Sequence, residues 1–229
     1  MASEAWNTFE KNIKDVITLH NLHTRVAMTD SSAPPETEVL NRAGIVLTTS
    51  FWEAFCEDVA AEALEKIVAS AKDASVLPKE IKKQIARELK ANSNEVAVWD
   101  LAGDNWRVLL QTRLAALQDA RNKKLNTPKS QNIDDLFESA IGLPGVSSGW
   151  TIEYCTEPGK TILMDADATR KKLDEMVTLR GEIAHRGKAK AAIMKDDVKD
   201  YAMFVAGIAI SINRQLSEYV QSISGVKPW

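Results

Sequence analysis

An all-α helical bundle is the fold these 229 residues predict, and three observations carry the prediction. Apolar residues recur at three- and four-residue steps along most of the chain, which is the period of one helix face. Glycine (10) and proline (7) are scarce, unlike the composition of a turn-rich β protein. Only one short stretch, Trp150, Ile152 and Tyr154, alternates with the period of a strand.

The elements follow in order. Trp6, Phe9, Ile13, Val16 and Ile17 mark a first helix over about 5–25, expected to pack on the bundle. Ser32-Ala33-Pro34-Pro35 followed by Glu36 and Glu38 is a helix start, because proline suits the first turn and acids suit the N-terminus. From there Val39, Leu40, Ala43, Val46, Leu47, Phe51, Phe55, Val59 and Leu64 sustain one long helix to about residue 70. Its centre carries few charges, so it is expected to be the most buried member. Pro78 opens a short helix to about 90, closed by Asn92-Ser93-Asn94. Another helix is expected over 100–124, with Trp106, Leu109, Leu110, Leu114 and Leu117 inward. An irregular insertion is expected around 126–164. It holds a short helix over 133–141, stopped by Gly142-Leu143-Pro144-Gly145, and a possible strand near Trp150. Asp165 or Asp167 caps the next helix, which runs to about His185, and a last helix covers 194–222. No repeat or heptad array divides the chain, so 1–229 reads as a single domain.

Composition bounds the function. The start MASEAWNTFE lacks a basic segment followed by an apolar one, and the longest apolar run, 202–210, is far short of the roughly 20 residues that cross a bilayer. Cys56 and Cys155 form no paired framework, so a reducing cytoplasm is the expected home and no membrane partner is expected. The net charge is only −3, but nine basic residues oppose five acidic ones over 170–199, leaving +4 there and −7 elsewhere. A second basic cluster is Arg121, Lys123, Lys124 and Lys129. Local positive patches on an acidic chain suit a focused anion or nucleic-acid site; solvated helix ends are the plainer alternative.

Most familiar chemistries lack their residues. His20 and His23 share a helical face, but four tightly spaced zinc ligands are absent, and no metal or other cofactor is expected. Gly142 to Gly149 is glycine-rich without the Gly-Lys-Ser/Thr ending that grips nucleotide phosphates. No GxSxG elbow occurs. What stands out is Leu179-Arg180-Gly181-Glu182-Ile183-Ala184-His185-Arg186-Gly187. Histidine moves protons near neutral pH, and arginine is a permanently charged fork suited to a phosphate in its transition state. His185 can take the proton of a ribose 2′-OH or supply one to a leaving 5′-oxygen, while Arg180 steadies charge on phosphorus. Five residues on a 3.6-residue turn separate their directions by about 140°. Three ways to bring them together stay open: the helix ends near Gly187, the long arginine curls round, or two chains pool their motifs across a twofold axis.

The segment from Leu173 to Gly187 resembles the signature of the HEPN superfamily, an Arg-x(4–6)-His motif near the end of a helical bundle. Two further stretches resemble one branch of it, the RiboL-PSP-HEPN or MAE_28990-like HEPN group. They are Asn41 to Asp58, containing Phe51-Trp52-Glu53, and Thr127 to Leu143 followed by Trp150. The resemblance spans about 40–220. It implies a metal-independent endoribonuclease, commonly a toxin or an anti-phage effector with an antitoxin or defence partner. It also implies a homodimer whose two motifs face each other in a cleft. Arg180 and His185 would be the catalytic pair, with Glu53 an acid that orients one of them. Arg186, Lys188 and Lys190 would line the RNA path; tRNA, rRNA and mRNA stay open as substrates.

Two departures qualify the match. The residue after the motif arginine is usually a polar Asn that helps place the phosphate, and here it is Gly181. Glu182 is the polar neighbour that would substitute in RNA binding, although its charge repels phosphate. Members paired with nucleotidyltransferase antitoxins carry a tyrosine two residues after the histidine, where this chain has Gly187, so modification by such a partner is not implied. The alternative to a nuclease is a non-catalytic RNA- or nucleotide-binding or dimerisation module of the same fold.

Overall fold

A computed structural model of the chain describes residues 2–27, 35–119, 125, 127–157, 160–187 and 192–229. Within them are seven α-helices and one two-stranded sheet: α1 Glu4–Ala27, α2 Pro35–Ser70, α3 Lys79–Ala91, α4 Asn105–Asp119, α5 Ser130–Ile141, β1 Ile152–Glu157, β2 Lys160–Met164, α6 Ala166–Arg186 and α7 Lys195–Ser224. The all-α expectation holds.

The 36 residues of α2 span about 54 Å at 1.5 Å per residue. Trp52, Phe55, Cys56, Val59, Ala63, Leu64 and Ile67 bury almost its whole circumference, and α1, α4, α5, α6 and α7 all pack on it. A helix buried on most of its sides is a core helix, which is what its uncharged centre anticipated. The next most buried is α7, through Phe204, Val205, Ile208, Ala209, Ile212 and Leu216. The two approach closely at Gly44, where a Cβ would stand 2.5 Å from a methyl of Val198. At the other end of α2, Arg107 donates to the carbonyls of Val68 and Ala71, satisfying acceptors that a helix C-terminus leaves open. The N-terminus of α1 is met by α2, since the Glu62 carboxylate accepts from the Glu4 and Ala5 amides at 3.1 Å each.

Two boundaries differ from expectation for local reasons. Asn94 accepts from the Val96 amide and starts a 3₁₀ segment, Glu95–Leu101, and Gly103 then turns with φ +65°. Helix α4 therefore begins at Asn105 rather than at 100. Residues 120–124, the expected end of that helix and most of the second basic cluster, lie outside the described residues; Lys129 directly precedes α5.

The stretch 126–164 is more ordered than an irregular insertion. It holds α5, a 3₁₀ turn Val146–Gly149, and an antiparallel hairpin in which Ile152 faces Met164 and Tyr154 faces Ile162. Its apolar residues join the common core: Ile133, Phe137 and Trp150 are fully buried. Trp150 meets Trp52 edge-on, with ring centroids 6.2 Å apart. Carboxylates lock the turns: Asp134 accepts from the amide and hydroxyl of Ser147, and Asp174 of α6 accepts from both groups of Ser130 at the start of α5.

Helix α6 is thus held from several sides. Asp165 caps its start by accepting from the Ala168 amide at 2.8 Å. Lys172 donates to the Tyr154 hydroxyl of β1 and to Asp200 of α7. Gly187, at φ +69°, closes its end by donating a hydrogen bond from its amide to the Ile183 carbonyl.

Candidate functional site

On α6, Leu173 and Val177 are buried, and Arg180 continues their stripe three residues on. The arginine therefore points into the bundle, between α2 and α7, and is half-buried. Its Nε is shielded from solvent and has no hydrogen-bond partner among the described residues. The guanidinium charge acts on two groups there, the Glu53 carboxyl of α2 and the Tyr201 phenol of α7.

Both groups belong to a polar lining inside an apolar helix pair. Thr49, Glu53 and Glu57 follow at four-residue steps on α2 and share a face. Thr49 and Glu57 are buried and Glu53 is half-buried. Glu57 accepts from the Leu125 amide at 3.4 Å. Tyr201 is fully buried, with its hydroxyl 3.0 Å from Thr49 Oγ1. Burial is the main reason the Tyr201 phenol sits well above its ordinary pKa, although Thr49 and Arg180 pull it back. Cys56 beside them is fully buried, and burial followed by the two carboxylates pushes its thiol up, so it is no nucleophile.

Burial also raises the Glu53 pKa, with Glu57 adding to the effect and Arg180 opposing it. The sign has a consequence. A carboxyl with a raised folded pKa binds its proton more tightly in the folded state, so stability declines as pH rises from the unfolded value, about 4.3, through the folded one. Above that window the ionised carboxylate is a standing cost. Glu53→Gln is therefore expected to melt at or above the wild-type temperature at pH 7. The two curves should converge as pH falls through the carboxylate range, as thermal unfolding followed against pH will read.

His185 is exposed in the last turn of α6, and Arg186 beside it suits the negative end of the helix. On one helix the imidazole lies about 140° from Arg180, on the solvent side. One chain thus brings Arg180, Glu53 and Tyr201 together and leaves His185 outside the group. Gly181, one turn before His185, shares its face, and a Cβ there would meet nothing within 4 Å. Glu182, three residues before His185, lies about 60° from it on the same solvent side of the helix, in a groove of about 440 Å³ with Lys129, Lys171, Asp174, Glu175, Thr178 and Leu179. Lys188 and Lys190 lie outside the described residues. An equally large cavity between α3 and α4, lined by Ile85, Leu89, Leu109 and Arg113, holds none of the expected site residues.

Tyr201 and Thr49 were not among the residues expected from the sequence. The signal for Thr49 was present in the repeating Thr49-Glu53-Glu57 step on an apolar helix. Tyr201 reaches it from 152 residues away, and no spacing reveals that. His20 Nε2 stands 4.0 Å from Asp196, its imidazole pushed down by burial and by Lys195; the side chain of His23 lies outside the described residues. Among the described residues no group of three or more His, Cys, Asp or Glu could hold a metal ion, and no helix is long and apolar enough to cross a membrane.

Comparison with known families finds a match to RiboL-PSP-HEPN over residues 7–218. No curated protein and no solved structure matches the chain. The matched span takes in α2, the segment 127–150 and the whole Arg180–His185 motif. The chain belongs to the RiboL-PSP-HEPN family, a HEPN-type family. Membership supports a nuclease or RNA-binding module in general terms.

Proposed function

From that membership we propose that the protein is an endoribonuclease acting as a homodimer, in the cytoplasm, as a toxin or anti-phage effector held by an antitoxin or defence partner. The observation that carries this reading is the divergence on α6. A half-buried acid and a buried phenol flank Arg180, and His185 stands in solvent on another side of the same helix. Two copies related by a twofold axis bring the arginine of one toward the histidine of the other.

In that cleft one imidazole removes the proton of a ribose 2′-OH, and the 2′-oxygen attacks the adjacent phosphorus. Arg180 offsets the charge on the five-coordinate phosphorus. The bond to the 5′-oxygen breaks, and the imidazolium so formed returns its proton to that oxygen. The products are a 2′,3′-cyclic phosphate and a 5′-hydroxyl. Glu53 orients Arg180. Arg186, Lys188 and Lys190 draw the RNA backbone in, and Glu182 meets it at the rim. The chemistry uses side chains alone, so purified protein with chelator and total RNA is expected to yield fragments ending in cyclic phosphate. RNA left intact under conditions where the protein is folded and dimeric contradicts the reading.

One observation favours a second reading, a non-catalytic RNA- or nucleotide-binding or dimerisation module. Gly181 stands where the family usually carries a polar side chain, and the space beside it is open. Retention of RNA by a protein that never cleaves it supports that module instead.

A further inference from the structure

The hydroxyls behind Arg180 can be counted. Thr49 Oγ1 lies 2.9 Å from the Ile45 carbonyl and 3.0 Å from the Tyr201 hydroxyl. A hydroxyl carries one hydrogen. A carbonyl can only accept, so the Thr49 hydrogen goes to Ile45, and Tyr201 must donate to Thr49. This directs the phenolic O–H at Thr49 and leaves the oxygen's lone pairs turned away from it. Tyr201 has no other hydroxyl partner among the described residues. The nearby cation is Arg180, whose shielded Nε lacks an acceptor. A buried, unsatisfied guanidinium N–H is costly, and a nearby oxygen with its proton committed elsewhere is the kind of acceptor it lacks.

We propose that Tyr201, with its proton fixed on Thr49, is a positioning residue that accepts a hydrogen bond from the Arg180 guanidinium when RNA is bound and so aims the charge at the scissile phosphate. The inference rests on the nuclease reading and goes beyond it, because neither the motif nor its spacing includes α7. Glu53 supplies the charged half of the socket and Tyr201 the neutral half. A phenol held in this orientation cannot turn its O–H dipole against the cation. The relay Arg180, Tyr201, Thr49 and Ile45 ties the arginine to the backbone of the core helix.

Tyr201→Phe removes one oxygen and keeps the ring. Tyr219→Phe is the matched control, since that half-buried α7 tyrosine donates to the Ile141 carbonyl at 2.9 Å, away from Arg180. RNA cleavage is measured for both, alone and in an Arg180→Lys background. Tyr201→Phe is expected to lower kcat about tenfold with KM within twofold, the size of effect seen when a supporting hydrogen bond is lost. Tyr219→Phe should leave kcat unchanged. In Arg180→Lys the tyrosine change should have no further effect, because its role runs through the guanidinium. Thr49→Val, which removes the acceptor, should lower kcat as Tyr201→Phe does, and Thr49→Ser should restore it. Wild-type kcat in Tyr201→Phe, or an equal loss in the Arg180→Lys background, overturns the inference and leaves the nuclease reading standing. A wild type that leaves RNA intact overturns both.

Discussion

His185→Ala is expected to lower RNA cleavage by about 10²- to 10⁴-fold, the usual contribution of a positioned acid or base. The melting temperature should stay close to wild type. The side chain is exposed, ends a helix already closed by Gly187, and makes no hydrogen bond within the described residues that alanine would break. Loss of function without loss of stability distinguishes a chemical role from a structural one. The measurement is a single-turnover cleavage rate beside a thermal melt on the same preparation. Equal rates for wild type and variant would remove His185 from the chemistry and favour the binding module.

The largest expected stability change lies elsewhere, at Trp150. Its indole is fully buried edge-on to Trp52, in a segment whose connection to the bundle is not obvious from its own pattern. Trp150→Ala removes that packing and leaves a cavity, a change of about 3–5 kcal/mol. For a chain of this length that lowers the melting temperature by roughly 6–20 °C. Trp150→Phe should lose much less, because the indole N–H has no acceptor among the described residues and its removal leaves nothing unpaired. If alanine here melts like wild type, the hairpin segment is not part of the common core.

The long helices were legible because punctuation and periodicity agree in them. Pro35 stands at the start of α2, Asp165 before α6 and Gly187 after it, and each bounds a run of apolar residues at helical steps. The start of α4 was not legible. The capping Asn94 and the turn at Gly103 act over two or three residues, and the apolar pattern around them suits a helix equally well. The hairpin left only the alternation of Trp150, Ile152 and Tyr154, since β2 presents Ile162 and Met164 to the protein and leaves Leu163 exposed.

The site divides the same way. Arg180 and His185 lie five residues apart and could be read as a motif. Glu53 could be read only through resemblance. Thr49 and Tyr201 meet through the packing of α2 on α7, made close by Gly44, and tertiary proximity of that kind leaves no trace in spacing. The 140° between Arg180 and His185 was calculable from helix geometry alone. The inward burial of the arginine follows from its place on the stripe of Leu173 and Val177.

The central claim is that Arg180 of one copy and His185 of another act on one phosphodiester. Mixing Arg180→Ala and His185→Ala proteins tests it directly. Each variant alone is inactive. After random exchange half of the dimers are mixed, and each mixed dimer keeps one site with both wild-type groups. Cleavage should therefore return to about a quarter of the wild-type rate. If the mixture stays as inactive as its components while exchange is shown to have occurred, the two groups do not meet across a dimer, and the composite site is contradicted.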